Sequence, residues 1–85
     1  MKKKKKIQKK ILNYTAIFEP AEEGGFIVHV PSLQGCHTQG ETLDEAYNMA
    51  QDAIFGYIKT LQELKQKVPH ESNASIFVTK IPVKV

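Results

Sequence analysis

The residues of this chain best suited to chemistry are one cysteine and two histidines. His37 directly follows Cys36, and His29 lies seven positions before Cys36. A thiolate and two imidazoles are ligands that Zn²⁺ prefers, and a thiol beside an imidazole can also act as a nucleophile. Neighbouring residues of a strand point to opposite faces, however, so Cys36 and His37 cannot easily share a metal. We therefore expect a buried structural thiol, two surface histidines and no metal site.

The carboxylates offer a second chemistry, because a two-metal nuclease holds its ions between acidic side chains that project from strands. The first predicted strand has no acidic residue in its middle and ends at Glu19. Asp44, Glu45 and Asp52 fall in the predicted helix, the last two on its polar side. We therefore predict a protein that is not an enzyme and that needs no cofactor.

Length and composition indicate one small domain. The 85 residues are 41% hydrophobic, which is typical of a folded chain with one modest core. A single cysteine cannot form an internal disulfide, which favours a reducing compartment. No apolar run reaches the length of a signal peptide or a membrane span. We expect a cytoplasmic protein without a membrane partner.

Charge divides the chain into two parts. Seven of the twelve lysines lie near the start, at Lys2, Lys3, Lys4, Lys5, Lys6, Lys9 and Lys10. From Ile11 onward, five lysines against nine acidic residues leave a net charge of −4. We interpret residues 1–10 as a flexible basic arm and residues 11–85 as a single domain. The arm either binds nucleic-acid phosphates or is only a solvated end that aids solubility.

Alternating apolar residues predict strands over residues 11–19 and 26–30. The proline and two glycines within residues 20–25 supply a turn, so these strands form an antiparallel hairpin. Residues 36–39, between two glycines, are long enough for a third strand. The inward face of the first strand is predicted to carry Leu12, Tyr14, Ala16 and Phe18.

A helix over residues 43–67 is the most strongly marked element. Thr42 and Glu45 have the spacing of a capping box, a continuous apolar stripe follows, and Pro69 comes after the end. Residues 74–85 alternate again and predict a final strand, in which Pro82 favours an edge position.

These elements predict an α+β fold in the order β-β-β-α-β. The first three strands form an antiparallel meander, one long helix covers one face, and the final strand returns parallel to the first through a right-handed crossover. Ile17, Ile27 and Phe77 are candidates for the uncovered face. They are either scattered surface residues or a contact with a second copy, and we predict a homodimer or higher homo-oligomer.

Four motifs carry a resemblance to a known family. They are Tyr-Thr-Ala-Ile-Phe at 14–18, Gly-Gly-Phe at 24–26, Val-Pro-Ser-Leu-Gln-Gly-Cys at 30–36, and Thr-Gln-Gly-Glu-Thr followed by Glu-Ala within 38–46. Their order resembles the HicB family of bacterial type II antitoxins over roughly residues 12–68. The resemblance implies a partly degraded RNase H-like fold and a role in neutralising a HicA-type toxin, a small mRNA-cleaving ribonuclease.

The acidic part of the chain suits a basic toxin. We expect toxin contact through acidic residues at the first hairpin and an aromatic residue on the polar helix flank: Glu19, Glu22, Glu23 and Phe55. The alternative is that Phe55 is exposed but contacts no other protein. Many HicB members carry a C-terminal DNA-binding domain, and none is expected before Val85, so DNA contact would come from the basic arm. The alternative function is a solitary RNase H-like module that regulates or binds a ligand.

Overall fold

The computed structural model describes residues 11–72 and 76–85, so the basic arm lies outside the described residues. Three strands, β1 (Ile17–Pro20), β2 (Phe26–His29) and β3 (His37–Gly40), precede one helix, α1 (Leu43–Glu63). The strands form an antiparallel sheet in the order β1-β2-β3, and α1 packs mainly over β3. The predicted α+β meander followed by one helix is confirmed.

The hairpin between β1 and β2 forms as the sequence indicates. Ile17 lies opposite His29 in the antiparallel register. In the turn, the Ala21 N–H donates to the Gly25 carbonyl and the Gly24 N–H donates to the Ala21 carbonyl, both at 3.0 Å. Both glycines have positive φ, 103° at Gly24 and 77° at Gly25, which other residues adopt only with strain. The two glycines therefore set the turn.

The core lies between the sheet and α1 and has two parts. One part is formed by the buried side chains of Val28, Ala46 and Ala50. The other is formed by the buried side chains of Val30, Leu33 and Cys36. Partly buried side chains pack on these clusters and include three of the four predicted for the inward face of the first strand, Tyr14, Ala16 and Phe18.

Helix and sheet approach each other closely at Gly40. A Cβ atom at this position would lie 2.4 Å from the backbone nitrogen of Ala46 and 2.6 Å from its Cα. At the end of the β1–β2 turn, a Cβ atom on Gly25 would lie 2.6 Å from the Gly40 carbonyl oxygen. Ala46 itself is fully buried. The first turn of α1 therefore rests directly on the backbone of β3, which leaves no space for a side chain at Gly40.

The predicted cap forms at the start of α1 with one difference. The Glu45 N–H donates to the Thr42 hydroxyl oxygen at 3.1 Å, as expected for a capping box. The Glu45 carboxylate accepts from the Glu41 N–H instead of reaching the N–H of Thr42. Asp44 and Glu45 also place negative charge at the positive end of the helix dipole.

The helix ends at Glu63, earlier than the predicted residue 67. Lys65 has φ 57°, its N–H donates to the Gln62 carbonyl, and the Gln66 N–H donates to the Leu61 carbonyl at 2.8 Å. This pair of bonds is typical of a Schellman motif, in which a left-handed residue turns the chain away from the helix. The sequence prediction failed here because a lysine, and not a glycine, takes the left-handed position.

Two strand predictions need correction. The first strand begins at Ile17 and not at residue 11, because its partner β2 ends at His29, opposite Ile17, and Pro31 has no N–H to extend the ladder. The final parallel strand predicted over 74–85 is not formed in the described part of that range: residues 76–85 have no secondary structure, and every one of them is exposed. Residues 73–75 lie outside the described residues.

The contact at Gly40 predicts a marked asymmetry between two glycines. Gly40→Ala should lower the free energy of unfolding by about 2–3 kcal/mol, because the methyl group overlaps backbone atoms. Gly56→Ala is the matched control. A Cβ there meets nothing within 4 Å, so alanine should stabilise α1 by up to about 1 kcal/mol. Thermal melts followed by circular dichroism measure both, and equal melting temperatures for the two variants would contradict the contact.

Candidate functional site

The cysteine and the two histidines lie on opposite sides of the sheet. Cys36 is buried in the core, and burial raises the pKa of its thiol. His37 lies directly opposite His29 in the register, and both side chains are exposed on the other face. Within residues 11–72 and 76–85, no group of three or more His, Cys, Asp or Glu side chains is placed to hold a metal ion. A thiol with raised pKa and no imidazole beside it is a poor nucleophile.

The sheet face turned away from α1 is uncovered in the described chain. Phe18 and Val28 point into the core, so the alternate residues of each strand project to the opposite side. We call this surface the open face, and its residues are Ile17, Glu19, Ile27, His29, His37 and Gln39. The open face combines two aliphatic side chains with polar neighbours, a composition suited to a partner surface.

The three glutamates predicted for toxin contact lie together at one end of the open face. Glu19 projects from β1, and its carboxylate lies 3.4 Å from Nε2 of His29. Glu22 and Glu23 are exposed in the turn that follows β1. This end of the molecule is therefore acidic, and two of its three carboxylates have no ion-pair partner within the described chain.

Phe55 lies elsewhere. It comes nine residues after the buried Ala46, which corresponds to two and a half turns and places it on the outer side of α1. Its side chain is 66% exposed, and the ammonium of Lys59 lies 5.9 Å from the ring centroid. Because Glu19 projects from the opposite layer, the structure does not join Phe55 and the glutamates into one surface.

The acidic helix residues also do not converge. Asp44 and Glu45 belong to the first turn of α1, where Glu45 is used in the cap. Asp52 borders a groove of about 370 Å³ between the start of β3 and the second half of α1. The lining of this groove is largely small or apolar and includes Gly35, Cys36, Ala53, Gly56 and Leu61.

Sequence reasoning missed a polar contact that fixes the chain after α1. The carboxylate of Glu71 accepts from the Thr15 N–H at 2.9 Å and from the Thr15 hydroxyl at 2.7 Å. The Ser32 hydroxyl also bonds it, and the Tyr14 hydroxyl donates to the Pro69 carbonyl. We call this arrangement the Glu71 clasp. A single glutamate in a polar linker gave no signal for it.

Two opposing effects act on the pKa of Glu71. Burial raises it, whereas hydrogen bonds from the Thr15 backbone, the Thr15 hydroxyl and Ser32 stabilise the ionised form and lower it. The hydrogen bonds prevail, so the pKa lies below its ordinary value of 4.5. The pKa of Tyr14 is raised by burial and by the nearby negative charge of Glu71. The clasp is therefore strongest when Glu71 is ionised.

Sequence comparison shows the family. Residues 14–81 match the family described as HicB_like antitoxin of bacterial toxin-antitoxin system. The chain belongs to this family. It is 39% identical over 67 residues to a UPF0150 protein of Thermoplasma acidophilum, covering 79% of this chain and 97% of that protein. It is 43% identical over 63 residues to a UPF0150 protein of Synechocystis, covering 74% of this chain and 80% of that protein.

A named antitoxin is also similar to this HicB-like chain. Antitoxin HicB 1 of Photorhabdus laumondii is 33% identical over 76 residues, which cover 89% of this chain and 49% of that protein. Membership of this family supports an antitoxin role. Antitoxins of this kind are regulatory proteins, and the family implies a toxin as the partner. In the described ranges, α1 is too polar to cross a membrane.

The Glu71 clasp predicts a stability difference that depends on pH. At pH 7, Glu71→Gln should lower the free energy of unfolding by about 1–2 kcal/mol, because hydrogen bonds to a charged group are lost. A lowered pKa in the folded state means that the contribution is present above pH 4.5 and is lost as pH falls through the folded value. Urea melts at pH 7 and pH 3 measure this.

The stability deficit of Glu71→Gln should therefore become smaller between pH 7 and pH 3. Glu22→Gln, at an exposed turn position, is the control and should match the wild type at both pH values. A deficit of Glu71→Gln that persisted unchanged at pH 3 would show that the charge of Glu71 has no part in the clasp.

Proposed function

We propose that this HicB-like protein binds and neutralises a HicA-type toxin, a small basic ribonuclease, and that it acts by binding and not by catalysis. The family match over residues 14–81 is the observation that carries the proposal. Charge supports it: residues 11–72 hold three lysines and nine acidic residues, a net charge of −6. A strongly acidic domain attracts a basic partner and repels nucleic acid.

The acidic end of the open face is the proposed toxin contact. A ribonuclease binds RNA through cationic groups that contact phosphates, and carboxylates on a protein surface can occupy the same groups. Glu22 and Glu23 are exposed and project from a turn, so they can approach a concave cationic site. Ile27, which lies opposite Glu19 in the register, supplies apolar surface near them. The antitoxin then neutralises the toxin by occupying the toxin's RNA-binding surface.

Phe55 is retained as a separate contact. It lies on the outer side of α1, so a toxin bound at the open face reaches it only by extending around the molecule. The interaction of Lys59 with the ring gives this site a local positive charge, unlike the acidic end. We therefore assign the main energetic role to the glutamates and a secondary role to Phe55.

The second function to consider is a solitary regulatory or ligand-binding module with an RNase H-like fold. The charge of the basic arm supports a DNA contact, because Lys2–Lys10 are concentrated in one short segment whereas residues 11–72 are acidic. For either function we propose a cytoplasmic location, with residues 11–85 as one domain and residues 1–10 as its basic arm. We also propose that it forms a homodimer or a higher homo-oligomer.

The toxin contact predicts a charge-specific kinetic effect. Glu22→Lys combined with Glu23→Lys should slow toxin association about tenfold or more at low salt, and less at high salt. Phe55→Ala should mainly speed dissociation. The control is Asp52→Lys with Glu63→Lys, which changes the charge equally on α1, away from the β1–β2 turn. Stopped-flow binding and residual mRNA cleavage measure the effect. If both double variants slowed association equally, the effect would come from the net charge alone and not from a contact at the turn.

The basic arm predicts a salt dependence. If seven clustered lysines neutralise about five phosphates, log K for DNA falls with log salt at a slope of about −4.5. Replacing Lys2–Lys6, Lys9 and Lys10 with glutamine should abolish DNA binding and leave toxin neutralisation and the melting temperature unchanged. Fluorescence anisotropy with duplex DNA measures the slope. Full DNA affinity in the glutamine variant would disprove binding through the arm, and absent binding in the wild type would leave the arm as a solubility tail.

A further inference from the structure

Residues 76–85, here called the 76–85 segment, have a strand pattern but no sheet to join. Odd positions from 77 to 85 hold Phe, Thr, Ile, Val and Val, whereas even positions hold Ile, Val, Lys, Pro and Lys. Such alternation is typical of a strand with one buried face. Yet Phe77 is 92% exposed and Ile81 is 77% exposed. An apolar face this continuous is typical of an interaction surface.

The chain's own sheet is badly placed to cover this segment. Pro69 is bonded to Tyr14 and Glu71 to Thr15, so the linker after α1 runs in the same direction as β1. The offset between Thr15 and Glu71 is 56 residues. With that offset, the first residue of the segment would come opposite Pro20, where β1 ends and the hairpin turn begins. The rest of the segment would extend past its own sheet.

The other edge of the sheet offers a fitting acceptor. No strand among the described residues pairs with the outer side of β3. Helix α1 rests on β3 at Gly40, and the 370 Å³ groove lies nearer the start of the strand, beside Cys36 and Gly56. A strand added to β3 would therefore direct alternate side chains into this groove.

We infer that the 76–85 segment of one copy binds as an added strand beside β3 of a second copy, with Phe77 and Ile81 in the groove beside Cys36 and Gly56. The exchange is reciprocal, so each copy supplies about ten residues of segment and about ten of acceptor surface. Together these reach the roughly 20 residues per side of a standard protein interface. The two-fold arrangement closes the assembly as a dimer.

Charge favours a second copy over a basic toxin as the partner. The segment carries Lys80 and Lys84 and no acidic residue, whereas residues 11–72 carry a net charge of −6. Asp52 borders the groove itself. A basic apolar strand is attracted to this acidic domain and repelled by a basic protein. The inference concerns the antitoxin's self-association, so its tests need no toxin and can fail independently of the proposed function.

The first test blocks the groove without disturbing the fold. A Cβ at Gly56 meets nothing within 4 Å, so the side chain of Gly56→Leu can fill the groove. Sedimentation velocity should show a dimer for the wild-type chain at tens of micromolar and about a 30-fold or larger loss of dimer affinity for Gly56→Leu. Gln62→Leu, at an exposed helix position, should stay within about threefold of the wild type. The melting temperature of the Gly56→Leu monomer should not fall.

The second test removes the strand's apolar face. Phe77→Asp with Ile81→Asp should weaken the dimer about 100-fold. The control is Lys80→Thr with Lys84→Thr, which changes the net charge by the same amount on the other face of the strand. This control should weaken the dimer about fivefold or less. Mixing the Gly56→Leu chain with the Phe77→Asp, Ile81→Asp chain should restore a heterodimer, because one intact segment then meets one intact groove.

Three results would overturn the inference. A wild-type monomer at tens of micromolar would exclude a second copy as the partner. A dimer that tolerates Gly56→Leu but not the aspartates, with no heterodimer in the mixture, would show that two segments pair with each other. A dimer unaffected by the aspartates would show that the 76–85 segment has no part in self-association.

Discussion

The direct contact between the backbone of β3 and the first turn of α1 is the constraint on which the structure depends. The contact of Gly40 with Ala46 leaves no space for a side-chain carbon at Gly40, and Gly25 in the β1–β2 turn has none either. The capped start of α1 is thereby held against one end of the sheet. The core is small, with six buried hydrophobic side chains among the described residues. Close backbone packing therefore fixes the helix on the sheet, as a larger hydrophobic core does in a larger domain.

The same constraint shapes the surfaces available to partners. Farther along the helix, Ala53 and Tyr57 pack on the cluster around Cys36, and a groove lies beside Cys36 and Gly56. A single helix covers only one side of the sheet, so the acidic end with Glu22 and Glu23 and the open face are left for a different partner. The HicB-like fold therefore presents two chemically distinct surfaces, one suited to a basic protein and one to an apolar strand.

Local signals predicted the local structure well. The hairpin glycines, the Thr42 cap and the burial of Cys36 opposite an exposed His37 followed from spacing alone. Features that depend on contacts between residues far apart in the sequence could not be predicted in this way. The Glu71 clasp joins positions 56 residues apart, and no residue type marks it. The separation of Phe55 from the glutamates also required the orientation of α1 on the sheet, which helical periodicity alone does not give.

The toxin contact at the acidic end of the open face is the central claim of this account. Amide hydrogen exchange of the full chain, measured alone and in complex with a HicA-type toxin, tests the claim most directly. Binding at the acidic end predicts slower exchange across the β1–β2 turn at residues 21–25 and the adjoining ends of both strands. The outer side of α1 around Phe55 should change less. Protection confined to α1, with the turn unchanged, would contradict the account.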